Sequence, residues 1–212
     1  MSILNEISEN LQNGKRKVVA ALVQQALDEG VPAGTILNDG LLAGMDVIGE
    51  KFKNNEVFIP EVLLAARSMN AGTELLKPFL ADDAAAHGKV VLGTVKGDLH
   101  DIGKNIVKIM MEGKGLEVID LGVDVEPEKF ISTAIDENAD IIACSSLLTT
   151  TMVNSEAVVK GAVEAGIRDK VKIMVGGAPV TQEFCDRIGA DAYTTDAASA
   201  AQTAAALLSG KE

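Results

Sequence analysis

Asp98, His100 and Gly103 stand two and three residues apart in Gly-Asp-Leu-His-Asp-Ile-Gly, Gly97 to Gly103, and His100 is one of only two histidines in a chain of 212 residues. An imidazole can bind a metal through one ring nitrogen while a nearby carboxylate accepts a hydrogen bond from the other. Such a partner fixes the tautomer and makes the ring a better donor. The same triplet also suits a histidine that caps the helix after it or rests in a polar loop. Zinc wants three or four protein ligands, and one histidine is too few. If His100 does hold a metal, the other ligands must arrive with a cofactor. Phosphate chemistry finds little support nearby. The G-x-G-x-x-G spacing is absent, and Gly97 to Asn105 has one residue too many before Gly103-Lys104 for a P-loop, with Asn105 where a magnesium-binding hydroxyl would be needed.

These residues fall in the second of two differently patterned regions. Residues 1–82 read as helices at Ser2–Leu11, Lys15–Asp28, a third whose apolar stripe is Leu37, Leu41, Met45, Ile48 and Phe52, and a fourth opened by Pro60. Four helices with short connections predict an antiparallel bundle. Asp82–Gly88 is small and polar, and residues 83–88 are expected to be a linker. From 89 to 212, β-rich runs at Lys89–Val95, Leu116–Asp120, Asp140–Cys144, Lys172–Val175 and Ala190–Tyr193 alternate with helical stretches at Ile102–Glu112, Pro127–Asn138, Met152–Ala165, Thr181–Ile188 and Ala197–Leu208. That alternation predicts an α/β domain, a doubly wound, flavodoxin-like (Rossmann-like) five-stranded parallel sheet. Ligands of such sheets sit beyond the C-terminal strand ends. Three turns fall there: Gly97–Gly103, Ser145–Thr151 and Gly176–Pro179.

The totals narrow the partners. Nineteen basic against thirty-one acidic residues leave a net charge of -12, spread over both regions, which repels nucleic acid and anionic membranes. The N-terminus has no basic segment leading into an apolar one, and no run approaches the ~20 apolar residues of a membrane span. Cys144 and Cys185 show no disulfide or metal spacing, which fits reduced thiols in a cytoplasmic protein.

Asp98-Leu99-His100-Asp101-Ile102-Gly103 resembles the D-x-H-x-x-G signature of cobalamin-binding modules, in which the histidine replaces the cofactor's own base beneath cobalt. The resemblance spans nearly the whole chain. It is closest to the cobalamin-binding part of methionine synthase and to the free-standing corrinoid proteins of anaerobic methyltransferase systems. It implies that His100 is the metal ligand, that Asp98 is its partner and that Thr151 is the hydroxyl that bonds the aspartate, where methionine synthase has serine. Cofactor contacts are implied at Gly97, Leu99, Asp101, Ile102, Gly103, Ser145, Leu147, Thr149, Gly176, Gly177 and Ala197. Gly103 would leave room for the displaced nucleotide tail. The helical region resembles the bundle that caps the upper corrin face, with Phe52 and Ile59 matching the apolar pair that shields a cobalt-bound methyl; by pattern alone this turn is equally a hydrophobic staple.

The function implied is that of a methyl carrier. Cobalt as cob(I)alamin would take a methyl group from a substrate-specific methyltransferase, and methylcobalamin would pass it to a corrinoid:acceptor methyltransferase serving a thiol or a tetrahydrofolate-type acceptor. A reductive activase would be a third partner. Release of the imidazole would let the His100, Asp98 and Thr151 network take up a proton. The alternatives are a mutase subunit, which the capping bundle and the missing barrel disfavour, a cobalamin-dependent sensor, for which no output segment is visible, and a flavodoxin-like module without cobalt.

Overall fold

The computed structural model describes residues 2–80 and 88–209. The chain divides into two compact units, 1–85 and 86–212. The linker expected at 83–88 lies, apart from Gly88, outside the described residues.

In the first unit, Ser2 caps helix α1 (Ile3–Gln12) by accepting a hydrogen bond from the Asn5 amide. Helix α2 (Arg16–Asp28) follows, and then a third helix in three parts: α3 (Ala33–Thr35), a π-helical stretch Ile36–Leu42 and α4 (Ala43–Lys53). The fourth is α5 (Ile59–Leu76), whose start is closed by Glu61 accepting from the Phe58 amide at 3.0 Å. Leu41, Met45 and Ile48 are buried, as their spacing predicts, whereas Leu37 and Phe52 are only half-buried and Ile36 takes the innermost place. The π turn is the reason. The Ala43 amide reaches back five residues to the Asn38 carbonyl, so the buried face steps from Ile36 to Leu41. Helix α1 packs closely on this stretch, where a side chain at Gly40 would come within 3.2 Å of Ile7 and one at Gly44 within 3.2 Å of the Ser8 backbone.

The second unit is a five-stranded parallel sheet of order β2-β1-β3-β4-β5, the doubly wound arrangement expected from the alternation. Its strands are β1 (Lys89–Thr94), β2 (Glu117–Asp120), β3 (Ile141–Ser145), β4 (Lys172–Gly176) and β5 (Ala192–Thr194). The connecting helices are α6 (Ile102–Glu112), α7 (Pro127–Asp136), α8 (Asn154–Glu164), α9 (Gln182–Ile188) and α10 (Ala197–Ser209). Val91, Ile142, Cys144, Ile173 and Val175 build one core with Phe130, Val158 and Phe184 of α7, α8 and α9. The alternate strand residues Val90, Leu92, Ile141, Ala143 and Met174 are buried too, so both faces of the sheet are covered. Both cysteines are free and buried, and burial pushes the Cys144 thiol up to about 12. No helix among the described residues is long and apolar enough to cross a membrane.

Strand β1 has room for no side chain at Gly93, because a Cβ there would meet the ring of the fully buried Phe130 at 2.8 Å. Gly93→Val should therefore overpack this core by ~1–3 kcal/mol and lower the thermal midpoint of the cofactor-free protein by roughly 3–10 °C. A midpoint equal to the wild type in a calorimetric scan would refute this packing account.

Candidate functional site

Parallel strands all end on one rim, and here their last residues stand side by side: Thr94 pairs with Ser145, Ser145 with Gly176, and Gly176 with Thr194. Every predicted site residue of the second unit lies at this rim, on the strand ends, the loops that leave them or the first turns of the helices that follow: Gly97–Gly103 after β1, Ser145–Thr151 from the end of β3, Gly176-Gly177 from the end of β4 and Ala197 after β5. Phe52 and Ile59 belong to the other unit.

The loop after β1 makes a tight turn at Gly97, which adopts φ +78°, and then buries Asp98 completely. A buried carboxylate needs donors, and each oxygen has its own set. Oδ2 accepts from the Leu147 amide at 2.7 Å, the Thr151 hydroxyl at 2.8 Å and the Leu148 amide at 3.3 Å. Oδ1 accepts from the His100 amide at 3.1 Å and lies 2.9 Å from His100 Nδ1. Burial alone would raise the Asp98 pKa, but these donors, led by the Leu147 amide and the Thr151 hydroxyl, outweigh it and hold the carboxyl well below the usual carboxylate range. An ionised carboxylate only accepts, so Nδ1 must carry the ring proton. In the neutral ring the lone pair is then on Nε2. No described residue bonds Nε2, and the His100 side chain is 54% exposed.

The loops that carry and neighbour this ring expose several large apolar side chains. Leu99 and Ile102, which precede and open α6, are 71% and 70% exposed, and Leu147 and Leu148 of the β3 loop are exposed as well. At Gly103 nothing lies within 4 Å of where a side chain would begin, so the first turn of α6 borders open space. Lys104, buried beside it, bonds Asp120 at 2.6 Å and Asn105 at 2.8 Å and ties α6 to the end of β2. Asp101 accepts from the Asn105 side chain at 3.2 Å. Thr149 is exposed and Ser145 half-buried. Gly177, at φ +124°, sits so close to the next strand end that a Cβ would fall 1.7 Å from the Ser146 carbonyl oxygen. No group of three or more His, Cys, Asp or Glu among the described residues could hold a metal ion.

Several participants carry little sequence signal. The amides of Leu147 and Leu148 act through the backbone, which any residue supplies. Asp124, a non-glycine residue at φ 54°, bonds the Gly97 amide, and Asn154 bonds the Lys96 carbonyl at 2.8 Å. The turn Gly122-Val123-Asp124 was the available clue, since aspartate tolerates the left-handed region better than most residues.

If the Thr151 hydroxyl is a true donor to a buried charge, Thr151→Val should cost ~1.5–3 kcal/mol in urea unfolding of the cofactor-free protein, and Thr151→Ser much less. Because folding lowers the Asp98 pKa, its contribution is complete above the unfolded value near ~4 and is lost as pH falls through the folded one. The gap between Thr151→Val and wild type should narrow on acidification. Equal stability at neutral pH would rule the bond out as a support.

Both regions of the chain are matched in known proteins. Residues 88–204 match the family model described as a B12 binding domain, and residues 3–77 match a second model with the same description. A dimethylamine corrinoid protein of Methanosarcina barkeri is 43% identical over 208 residues, 97% of either chain. A corrinoid protein of Desulfitobacterium hafniense strain Y51 is 40% identical over 98% of either chain. Among solved structures, a methanol:cobalamin methyltransferase complex of Methanosarcina barkeri aligns with a TM-score of 0.89 at 30% identity, covering 99% of this chain and 80% of that one. A cobalamin-binding protein of Desulfitobacterium hafniense DCB-2 aligns with a TM-score of 0.81 at 31% identity, covering 96% and 98%. With both regions matched and relatives aligned from end to end, the chain belongs to the B12-binding corrinoid protein family.

Proposed function

We propose that this protein is a methyl carrier of a corrinoid-dependent methyltransferase system, with His100 Nε2 as the lower ligand of the cobalt. The observation that carries the reading is the locked imidazole: Nδ1 is committed to an ionised, buried Asp98, and Nε2 is left as the donor. Bound cobalamin would supply a cobalt ion that accepts a methyl group from a donor-specific methyltransferase and yields it to a second one serving a thiol or tetrahydrofolate-type acceptor.

The residues present suit that group. A flat, largely apolar macrocycle needs an apolar seat with one ligand near its middle, and Leu99, Ile102 and Leu147 offer the seat around His100. The Ser145 and Thr149 hydroxyls would meet its polar side chains. The open first turn of α6 at Gly103 leaves space for a tail, which would pass the side-chain-free backbone at Gly176 and Gly177, and the buried Ser146 Oγ, without a partner among the described residues, is a donor and acceptor waiting behind that corner. Gly97 and Asp101 shape the loop, and Ala197 would offer its backbone. On the helical unit, Phe52 and Ile59 are assigned the task of keeping water from the transferred methyl, together with Phe58, which is 63% exposed.

The hydrogen bonds of this network also favour one destination for a proton. Asp98 stays ionised, so Nδ1 keeps its proton whether or not Nε2 is engaged. A proton taken up by the network on release of the ring would find its open site at Nε2, because both oxygens of the aspartate are already met by donors. Thr151 holds Asp98 Oδ2 and does not itself need to change state. The loading methyltransferase, the acceptor methyltransferase and a reductive activase act as separate proteins, in a cytoplasm that keeps Cys144 and Cys185 reduced.

Anaerobic addition of hydroxocobalamin to the cofactor-free protein should give a stoichiometric red complex. Its visible spectrum should report imidazole coordination and change in His100→Ala, with affinity weakened at least about tenfold. An identical spectrum in His100→Ala would end the assignment of Nε2 to cobalt.

A further inference from the structure

The hydrogen bonds that fix the Asp98 side chain account for its carboxylate but not for the backbone that presents it. Asp124, in the loop between β2 and α7, contacts that backbone at two points. Its Oδ1 accepts from the Gly97 amide at 2.7 Å, and its own amide donates to the Asp98 carbonyl at 3.0 Å. One residue thus grips the chain on both sides of the Gly97–Asp98 peptide. It does so from a left-handed conformation, φ 54°, which for a non-glycine residue is held only when the surroundings reward it.

The loop that carries Asp124 is itself anchored. Beyond β2, the Leu121 amide donates to the Leu92 carbonyl at 2.8 Å, the Thr94 amide to the Gly122 carbonyl at 3.0 Å and the Val125 amide to the Thr94 carbonyl at 3.0 Å. Val95 and Val125 form a parallel bridge beside it, and Lys96 pairs with Glu126 at 2.7 Å. The opposite side of the histidine loop is held by Asn154, which bonds the Lys96 carbonyl. A rigid, strand-like frame therefore stands on one flank of a loop whose tip carries the exposed His100.

We infer that Asp124 is a positioning residue for the cofactor ligand: by clamping the Gly97 amide and the Asp98 carbonyl it sets where the Asp98 carboxylate stands, and through it the direction of His100 Nε2. This deepens the functional reading above and rests on it. Asp124 touches neither the imidazole nor, on this account, the corrin. Its effect is on geometry, and a small error in the carboxylate is passed directly to the ring it orients.

Two substitutions separate the clamp from the backbone conformation. Asp124→Gly keeps the left-handed turn and the amide donor but removes the acceptor, whereas Asp124→Asn keeps an acceptor oxygen and tolerates the same φ. In the cofactor-free protein, amide hydrogen exchange at Gly97 should be at least about tenfold faster in Asp124→Gly than in wild type, and close to wild type in Asp124→Asn. After loading with hydroxocobalamin, Asp124→Gly should show a smaller imidazole-coordinated fraction in the visible spectrum, restored in Asp124→Asn. Unchanged Gly97 exchange together with an unchanged spectrum in Asp124→Gly overturns the proposal. Should Asp124→Gly fold poorly, the wild-type protein decides: a Gly97 amide exchanging at its unprotected rate refutes the clamp. If wild type itself shows no imidazole coordination, the assignment of His100 Nε2 to cobalt fails, and the Gly97 exchange result still judges the clamp by itself.

Discussion

Removing a carboxylate from water is costly, and the cost is met only when each oxygen finds donors in good geometry. At Asp98 those donors come from two loops at once, the Leu147 and Leu148 amides and the Thr151 hydroxyl after β3, and the His100 amide within its own loop. The buried charge therefore joins the ends of β1 and β3, and the His100 ring is attached to that joint. Such an arrangement resists small displacements, because moving the ring means disturbing a carboxylate that has no water to fall back on. It also separates two tasks. The aspartate fixes orientation and proton position, and the imidazole remains exposed, as the proposed ligation of a cofactor requires.

The sheet makes this joint possible. Thr94, Ser145, Gly176 and Thr194 stand in register, so loops leaving four strands begin at the same height. The corner between β3 and β4 is drawn together at Gly177, where the Ser146 carbonyl occupies the space a side chain would need. The opposite flank is stiffened by Lys104 and Asp120. Around the histidine, the exposed leucines and Ile102 give the rim an apolar character that a water-facing loop would otherwise avoid.

Much of this was legible in the residues because it depends on pattern. The alternation of apolar strands with amphipathic helices encodes a doubly wound sheet, and α6 begins and ends at the expected residues because Asp101 and Gly113 flank a segment whose buried face carries Ile106, Met110 and Met111. Asp98, His100 and Thr151 could be grouped through a motif, since their side chains do the work. What escaped was carried by the backbone or by local geometry. The Leu147 amide looks like that of any leucine, the two-sided grip of Asp124 depends on a φ angle, and helix α8 starts at Asn154, two residues later than its apolar residues suggest, because residues 148–153 are spent in turns around Thr151. In the helical unit, even steps of three and four placed Leu37 on the buried stripe, and only the wider turn reveals Ile36 there instead.

That wider turn is the one place where the third helix can change length without losing its packing. A π segment accommodates a surplus residue without interrupting the helix, whereas a residue gained or lost in regular α-helix rotates everything beyond it by about 100°. Removing one residue from Ile36–Leu42 would close the wide turn into ordinary α-helix and leave Met45 and Ile48 buried, with Gly44 still facing Ser8. The same deletion at the start of α4 would instead turn polar neighbours such as Asp46 inward.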